Sequence, residues 1–221
     1  MSLPKVRNLR EVEVWNLREV DREVEREAMS PFRKKEFYQG GYYHIYNRGA
    51  NQDLIFFNPD NYLYCLQLLG KYKIKYKISI IGYCLMPNHY HLLIRQDTIN
   101  GISEFMRDAF NSYVQAVNLQ QRRKGTLFQG RFRHIHIEKD EHILHLCRYI
   151  HLNPVKAELV KLPEEWQYSN YLDWIGKRNG ILTDRSFMID NFGYSANYRE
   201  FVMDYLQEKK AEKIIAKYML D

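Results

Sequence analysis

The sequence predicts an α+β domain: a four-stranded antiparallel sheet in the split βαβ arrangement, followed by a helical C-terminal extension. Two observations carry this. Between Tyr42 and Leu152 the apolar periodicity runs strand, helix, strand, strand, helix, strand, helix. Within that run, Met86-Pro87-Asn88 leaves too few residues between two strands for anything but a hairpin. The chain, at 221 residues, is long enough for one sizeable core with appendages.

Residues 5–27 are dense in charge and repeat Asn8-Leu-Arg-Glu-Val-Glu13 as Asn16-Leu-Arg-Glu-Val-Asp21. That spacing fits neither a heptad nor a strand, so residues 1–39 read as a charged arm, loose or marginally helical, outside the core. A domain over 40–175 follows. Tyr42-Tyr-His-Ile-Tyr-Asn47 is rich in β-formers and stops at Arg48-Gly49. After Asn58-Pro59-Asp60, the stripe Tyr62, Leu66, Leu69 and Tyr72 predicts a helix with Asp60 as its N-cap. Ile78 to Leu85 and His89 to Arg95 are the hairpin strands. A second helix runs from Gly101 to about Gln121 on Ile102, Phe105, Ala109 and Val117. A loop over Gly125 to Gly130 precedes a fourth strand, Phe132 to Ile137, and a third helix, Asp140 to Leu152. Short helices and loops lead to Ile175; residues 176–221, opening with Gly176-Lys-Arg-Asn-Gly180, form the helical extension.

Composition narrows the function. No apolar run reaches the roughly 18 residues of a membrane span, and the N-terminus has no secretory apolar core. Cys65, Cys84 and Cys147 are widely spaced, reading as buried thiols of a cytoplasmic protein rather than a disulfide framework or a zinc site. Lys and Arg total 33 against 27 Asp and Glu, a net charge of +6. Between Ala109 and Ile137 there is no acid at all, while Arg122, Arg123, Lys124, Arg131 and Arg133 fall inside. With 18 Tyr and 11 Phe available for stacking, this pattern suits a polyanion with unpaired bases; a solvated cationic face over an aromatic core would give the same composition.

His89-Tyr90-His91 is the sharpest local feature. On a strand, residues two apart share a face, so two imidazoles stand side by side and form half of a divalent-metal site. By itself, His-x-His is common and more often means two histidines satisfied near a sheet edge. Tyr149 and Asn153 lie four apart on one helix face, a phenol beside an amide able to complete that site. Asn153-Pro154 also reads as the N-cap and first residue of a new helix.

These residues carry a resemblance. Asn47-Arg48-Gly49, Tyr83-Cys-Leu-Met-Pro-Asn-His-Tyr-His-Leu-Leu93, Gly130-Arg131-Phe132 and Arg148-Tyr-Ile-His-Leu-Asn-Pro-Val155 resemble successive blocks of the single-tyrosine HUH transposases. The likeness is greatest to the REP-associated tyrosine transposases and runs from about Tyr42 to Ile175. It implies a ferredoxin-like fold with the histidines on a central strand. It further implies Mg²⁺ or Mn²⁺ held by His89, His91 and Asn153, where many members carry Gln at the last position. Tyr149 would attack a phosphodiester of single-stranded or hairpin DNA, giving a 5′-phosphotyrosine and a free 3′-hydroxyl. Arg48, Arg131 and Arg133 are the expected phosphate contacts, and the protein is expected to be bacterial, cytoplasmic and nucleoid-associated, a monomer or homodimer, without a membrane partner. Tyr113 is the rival nucleophile, lacking an amide four residues on. His134 and His136, a second His-x-His on the fourth strand, read as basic-strip residues near the nucleic acid, with a metal site there as the lesser alternative. Two other classes share the features: a non-catalytic RRM-like binding module, and a metal-dependent phosphodiesterase using water.

Overall fold

The computed structural model describes residues 37–218, so most of the expected N-terminal arm lies outside the described residues. The strands are β1 (Tyr42–Arg48), β2 (Ile78–Met86), β3 (His89–Gln96) and β4 (Arg133–Ile137), in the antiparallel order β2-β3-β1-β4. The helices are α1 (Pro59–Tyr76), α2 (Gly101–Gln120), α3 (Asp140–Lys156), α4 (Tyr171–Trp174), α5 (Ser186–Phe192) and α6 (Ser195–Tyr218). This is the split βαβ order expected, with the C-terminal region helical.

Each face of the sheet is buried against a separate layer. Tyr43, Ile45, Tyr90, Leu92 and Ile94 point to the first face, where they pack with α1 and α2 through Leu69, Phe105 and Tyr113. The alternate residues point to the second face, where Ile81, Cys84 and Leu93 meet Cys147 and Ile150 of α3, Trp174 of α4 and Tyr198 of α6. A bulge in β2 keeps both faces apolar: Ile80 pairs with Ile94 and Gly82 with Leu93, leaving Ile81 as the extra residue. Beyond the bulge, Tyr83 and Leu85 serve the first core, Cys84 and Met86 the second. Cys65, Cys84 and Cys147 are free and buried, as expected.

Two helix ends differ from expectation. The N-cap of α1 is Asn58, not Asp60: its side chain accepts from the Asn61 amide at 3.1 Å, and Pro59 takes the first helical position. Helix α3 does not stop at Leu152 but continues through Pro154 to Lys156. Proline so close to the helix end removes one amide donor, and the amides of Ala157, Glu158 and Leu159 still find the carbonyls of Asn153, Val155 and Pro154.

The position of α3 is fixed by polar contacts as well as packing. Asn170 donates to the Ile81 carbonyl at 2.9 Å, and its side-chain oxygen accepts from the Tyr83 amide at 2.7 Å. The same oxygen lies 2.8 Å from Nε2 of His151, so that nitrogen donates; Nδ1 of His151 then accepts from the Tyr198 hydroxyl at 2.5 Å. Arg148 sits between the rings of Phe201 and Tyr205, 4.3 Å from each centroid, joining α3 to α6.

Candidate active site

The register of β1 and β3 sets Arg48 opposite His89 and Tyr46 opposite His91. With His44, these residues occupy the end of the second face. The His89 and His91 rings are 5.1 Å apart and nearly perpendicular, as two residues on one strand face allow. His89 Nδ1 is 2.7 Å from the side-chain oxygen of Asn88, whose amide nitrogen donates to the Gln52 carbonyl at 3.2 Å. An amide oxygen only accepts, so His89 carries its proton on Nδ1 and its lone pair on Nε2. His91 Nδ1 lies 2.9 Å from Nε2 of His44, which is buried with 2% exposure. Donation from His91 to His44 leaves His91 in the same state. Histidines that bind metals are oriented in this way, through their second nitrogen.

The electrostatics keep these rings neutral. Burial pushes His44 down to about 3. Burial, reinforced by Arg48, pushes His89 down to about 4. His91 is held well below the ordinary histidine range by burial and by His44, His89 and Lys156. Neutral imidazole is the form that ligates a metal.

Helix α3 lays Tyr149 and Asn153 over this face. The Tyr149 ring stands edge-on to His91 at 5.6 Å and to His44 at 6.4 Å. Asn153 donates its amide nitrogen to the Tyr149 carbonyl at 2.9 Å, leaving its side-chain oxygen as an acceptor in the cavity. Lys156, one turn further, places its ammonium 4.3 Å from the centre of the Tyr149 ring.

The expected nucleophile, metal ligands and phosphate contacts line one open cavity of about 920 Å³: His89, His91, Tyr149 and Asn153, with Arg48, Arg131 and Arg133 at its rim. The three arginines are exposed, and Arg48 donates to the Gln129 side chain at 2.5 Å. No Asp or Glu is among the lining residues. Among the described residues, no cluster of three or more His, Cys, Asp or Glu is placed to hold a metal ion. The donors that fit one here are therefore two imidazole Nε2 atoms and an amide oxygen, all neutral.

The rival residues are elsewhere. Tyr113 is fully buried on the first face, its hydroxyl donating to the Ile55 carbonyl at 2.6 Å. His134 and His136 pair with Ile45 and Tyr43, so they also point to the first face, where the His134 ring lies tilted against Phe37 at 4.6 Å and the His136 ring tilted against Tyr43 at 5.0 Å. Sequence reasoning did not single out His44, Asn88 or Lys156. Alternation along β1 could have placed His44 and Tyr46 on one face, but only the pairing with β3 brings His44 to His91.

Comparison with known proteins gives this geometry a context. A family model described as "Transposase IS200 like" matches residues 37–153, more than half of the chain. A Haemophilus influenzae protein named as a REP-associated tyrosine transposase is 26% identical over 106 residues; the match takes in 43% of this chain and 60% of the relative's length. A solved REP-associated tyrosine transposase, bound to a REP hairpin, superimposes with a TM-score of 0.58 at 20% identity, covering 71% of this chain and 94% of that one. That likeness shows a shared fold. Among the described residues no helix is long and apolar enough to cross a membrane. The sequence blocks, the sheet order and the family match agree, and the chain belongs to the IS200-like transposase family.

Proposed function

We propose that the protein is a metal-dependent single-stranded DNA strand transferase that cleaves and rejoins hairpin-containing DNA through a 5′-phosphotyrosine. The observation that carries this is the convergence of Tyr149, His89, His91 and Asn153 in one arginine-rimmed cavity without carboxylates. In cleavage, the Tyr149 oxygen forms a bond to phosphorus and the bond to the 3′ oxygen breaks. The phenolic proton is lost and the departing oxygen gains one, leaving a 3′-hydroxyl. In rejoining, a 3′-hydroxyl attacks the same phosphorus and the tyrosine leaves, so phosphodiester energy is kept and no nucleotide triphosphate is consumed.

His89, His91 and Asn153 would hold Mg²⁺ or Mn²⁺, which supplies Lewis-acid polarisation of the phosphate. Asn88 and His44 orient the two imidazoles, and Arg48, Arg131 and Arg133 seat the flanking phosphates. The position of Tyr149 beside the histidines of its own chain supports action in cis by a monomer. We assign the chemistry to residues 40–175 and the support of α3 to 176–221, in a cytoplasmic, DNA-associated protein. The hairpin carried by the structural relative supports a hairpin substrate.

The covered sheet favours this reading over an RRM-like module, which needs exposed aromatics on one sheet face; here both faces are packed under helices. Wild-type protein and Tyr149→Phe, incubated with labelled hairpins from the DNA flanking the gene and Mg²⁺ or Mn²⁺, separate the remaining alternatives on a denaturing gel. A metal-dependent covalent band lost in the variant is expected. Cleavage without a band would assign a water nucleophile, and binding without cleavage a non-catalytic module.

A further inference from the structure

A second cavity, of about 600 Å³, opens beside the first and shares Asn47, Tyr90, Gly130 and Arg131 with it. Only a thin partition separates the two: the Asn47 side chain donates to the Gly130 carbonyl at 3.0 Å across the end of the sheet. The chemistry of the second cavity is different. Its floor and walls are Tyr90, Met106, Phe110, Val114, Phe128 and Phe132, and no Asp or Glu lines it. Tyr90 stacks on Phe110 at 4.3 Å, and Phe128 stands edge-on to both at 5.8 and 5.6 Å, so the floor is a rigid aromatic cluster. Phe128, Phe132 and Val114 are partly exposed, and the mouth carries exposed Arg107, Arg131 and Asn111. Arg107 is paired with Asp108 at 3.0 Å, which leaves Arg131 as the cation facing both cavities.

We infer that this cavity is a subsite for one unpaired nucleobase of the strand whose backbone lies in the first cavity. The inference rests on the proposed function and adds a base-reading element to it. An apolar aromatic slot of this size is in the range of small-ligand sites, about 300–1,000 Å³. Its occupant must be apolar on its faces and attached to something anionic, because Arg131 sits at the junction. A base splayed from a backbone held by Arg131 meets both requirements, with Phe128 and Phe132 for its ring faces and the exposed Asn111 for its edge. The partition at Asn47 and Gly130 then lies between the sugar-phosphate path and the base it projects.

The test uses the full chain carrying Tyr149→Phe, so that strand affinity is read without cleavage. The probe is a fluorescent hairpin with single-stranded extensions, taken from the DNA flanking the gene, with one abasic site walked along the extensions. One position is expected to lose affinity by about 5- to 150-fold, the loss of one base–aromatic stack, while its neighbours change little. Adding Phe132→Ala should weaken the intact probe to a similar extent and abolish the extra penalty of the abasic site. Val114→Trp, which fills the slot from α2, should do the same and covers the case in which Phe132→Ala fails to fold. A uniform response to abasic sites, or an abasic penalty that persists in both variants, overturns the subsite. A covalent adduct in the wild type with a uniform abasic response defeats this inference alone. A sensitive position without any adduct defeats the proposed chemistry and leaves the base subsite standing. Failure to bind the hairpins or a random single-stranded pool defeats both.

Discussion

Nε2 of His44 lies 2.9 Å from Nδ1 of His91, linking neighbouring strands β1 and β3 beneath Tyr149. His44 is 2% exposed at the wall of the cavity, and by accepting from His91 Nδ1 it would turn Nε2 of His91 to the open space. His44→Phe keeps a ring in the space and removes the acceptor. The concentration of Mn²⁺ giving half-maximal adduct formation should rise by roughly 10- to 100-fold, the usual cost of losing a partner behind a metal-binding histidine. A metal titration of adduct yield checks it; an unchanged midpoint would remove His44 from the site.

The ammonium of Lys156 over the Tyr149 ring predicts a kinetic effect. A cation there favours the negative charge that builds on the phenol as it attacks. Lys156→Met should slow adduct formation by about tenfold, equivalent to about 1.4 kcal/mol of barrier. Because Lys156 is exposed, the melting temperature should barely move. Single-turnover adduct kinetics beside a thermal melt separate the two effects.

The rim arginines should reveal themselves through salt. Each phosphate contact on a single strand contributes about 0.7 to the slope of log affinity against log salt. Arg48→Gln, Arg131→Gln and Arg133→Gln should each lower that slope by about this amount, across sequences alike. A variant with a wild-type slope has no phosphate under it.

Acid should weaken the fold through His145 on α3. Burial, with Arg148 and His142 adding to it, pushes this histidine from 6.5 down to about 4. Below about 6.5 the unfolded chain takes up a proton that the folded chain refuses until about 4, so stability falls as pH drops through that window. Its Nδ1 accepts from Arg148 at 2.9 Å, a bond that protonation would turn into repulsion. His145→Gln should flatten the loss, by a contribution on the order of 2 kcal/mol in urea unfolding between pH 7 and 4.

Arg178 stabilises the loop that follows α4. It grips both carboxylate oxygens of Asp173, at 2.9 and 2.8 Å, and also donates to the carbonyls of Gln167 and Ser169. The Asp173 side chain is only 3% exposed, so Arg178→Ala leaves a buried carboxylate without its cation, held by the Gly180 amide at 2.8 Å. The expected cost is about 3–5 kcal/mol, a drop of roughly 10 °C in melting temperature by calorimetry.

Much of this was legible in the chain, for reasons that differ from residue to residue. Strand alternation at His89 and His91 and the helical spacing of Tyr149 and Asn153 are local rules, and each pair does share a face. The cap at Asn58 was local too, but Asp60 competed for the role, and the preference of proline for the first helical position decided it. His44 is a different case: its contact spans 47 residues and depends on the register between β1 and β3, which periodicity does not encode. Lys156 was hidden by Pro154, because a proline usually ends a helix and here the last turn continues past it. The loop Gly176 to Gly180 has the composition of a linker; only tertiary contact reveals that Arg178 within it is held at four points.

A cavity whose lining holds neutral rings, amides and arginines but no carboxylate has a thermodynamic consequence. A divalent ion entering it alone would meet nothing to offset its charge, and the nearby guanidinium groups would repel it. A phosphodiester brings the missing negative charge, so strand and ion raise each other's affinity by the same factor. On the proposed reading, the free protein is largely metal-poor, and the complete reactive site is assembled only around DNA that is already seated. The substrate thus becomes a ligand of its own catalyst, and metal affinity measured without it would understate the working value.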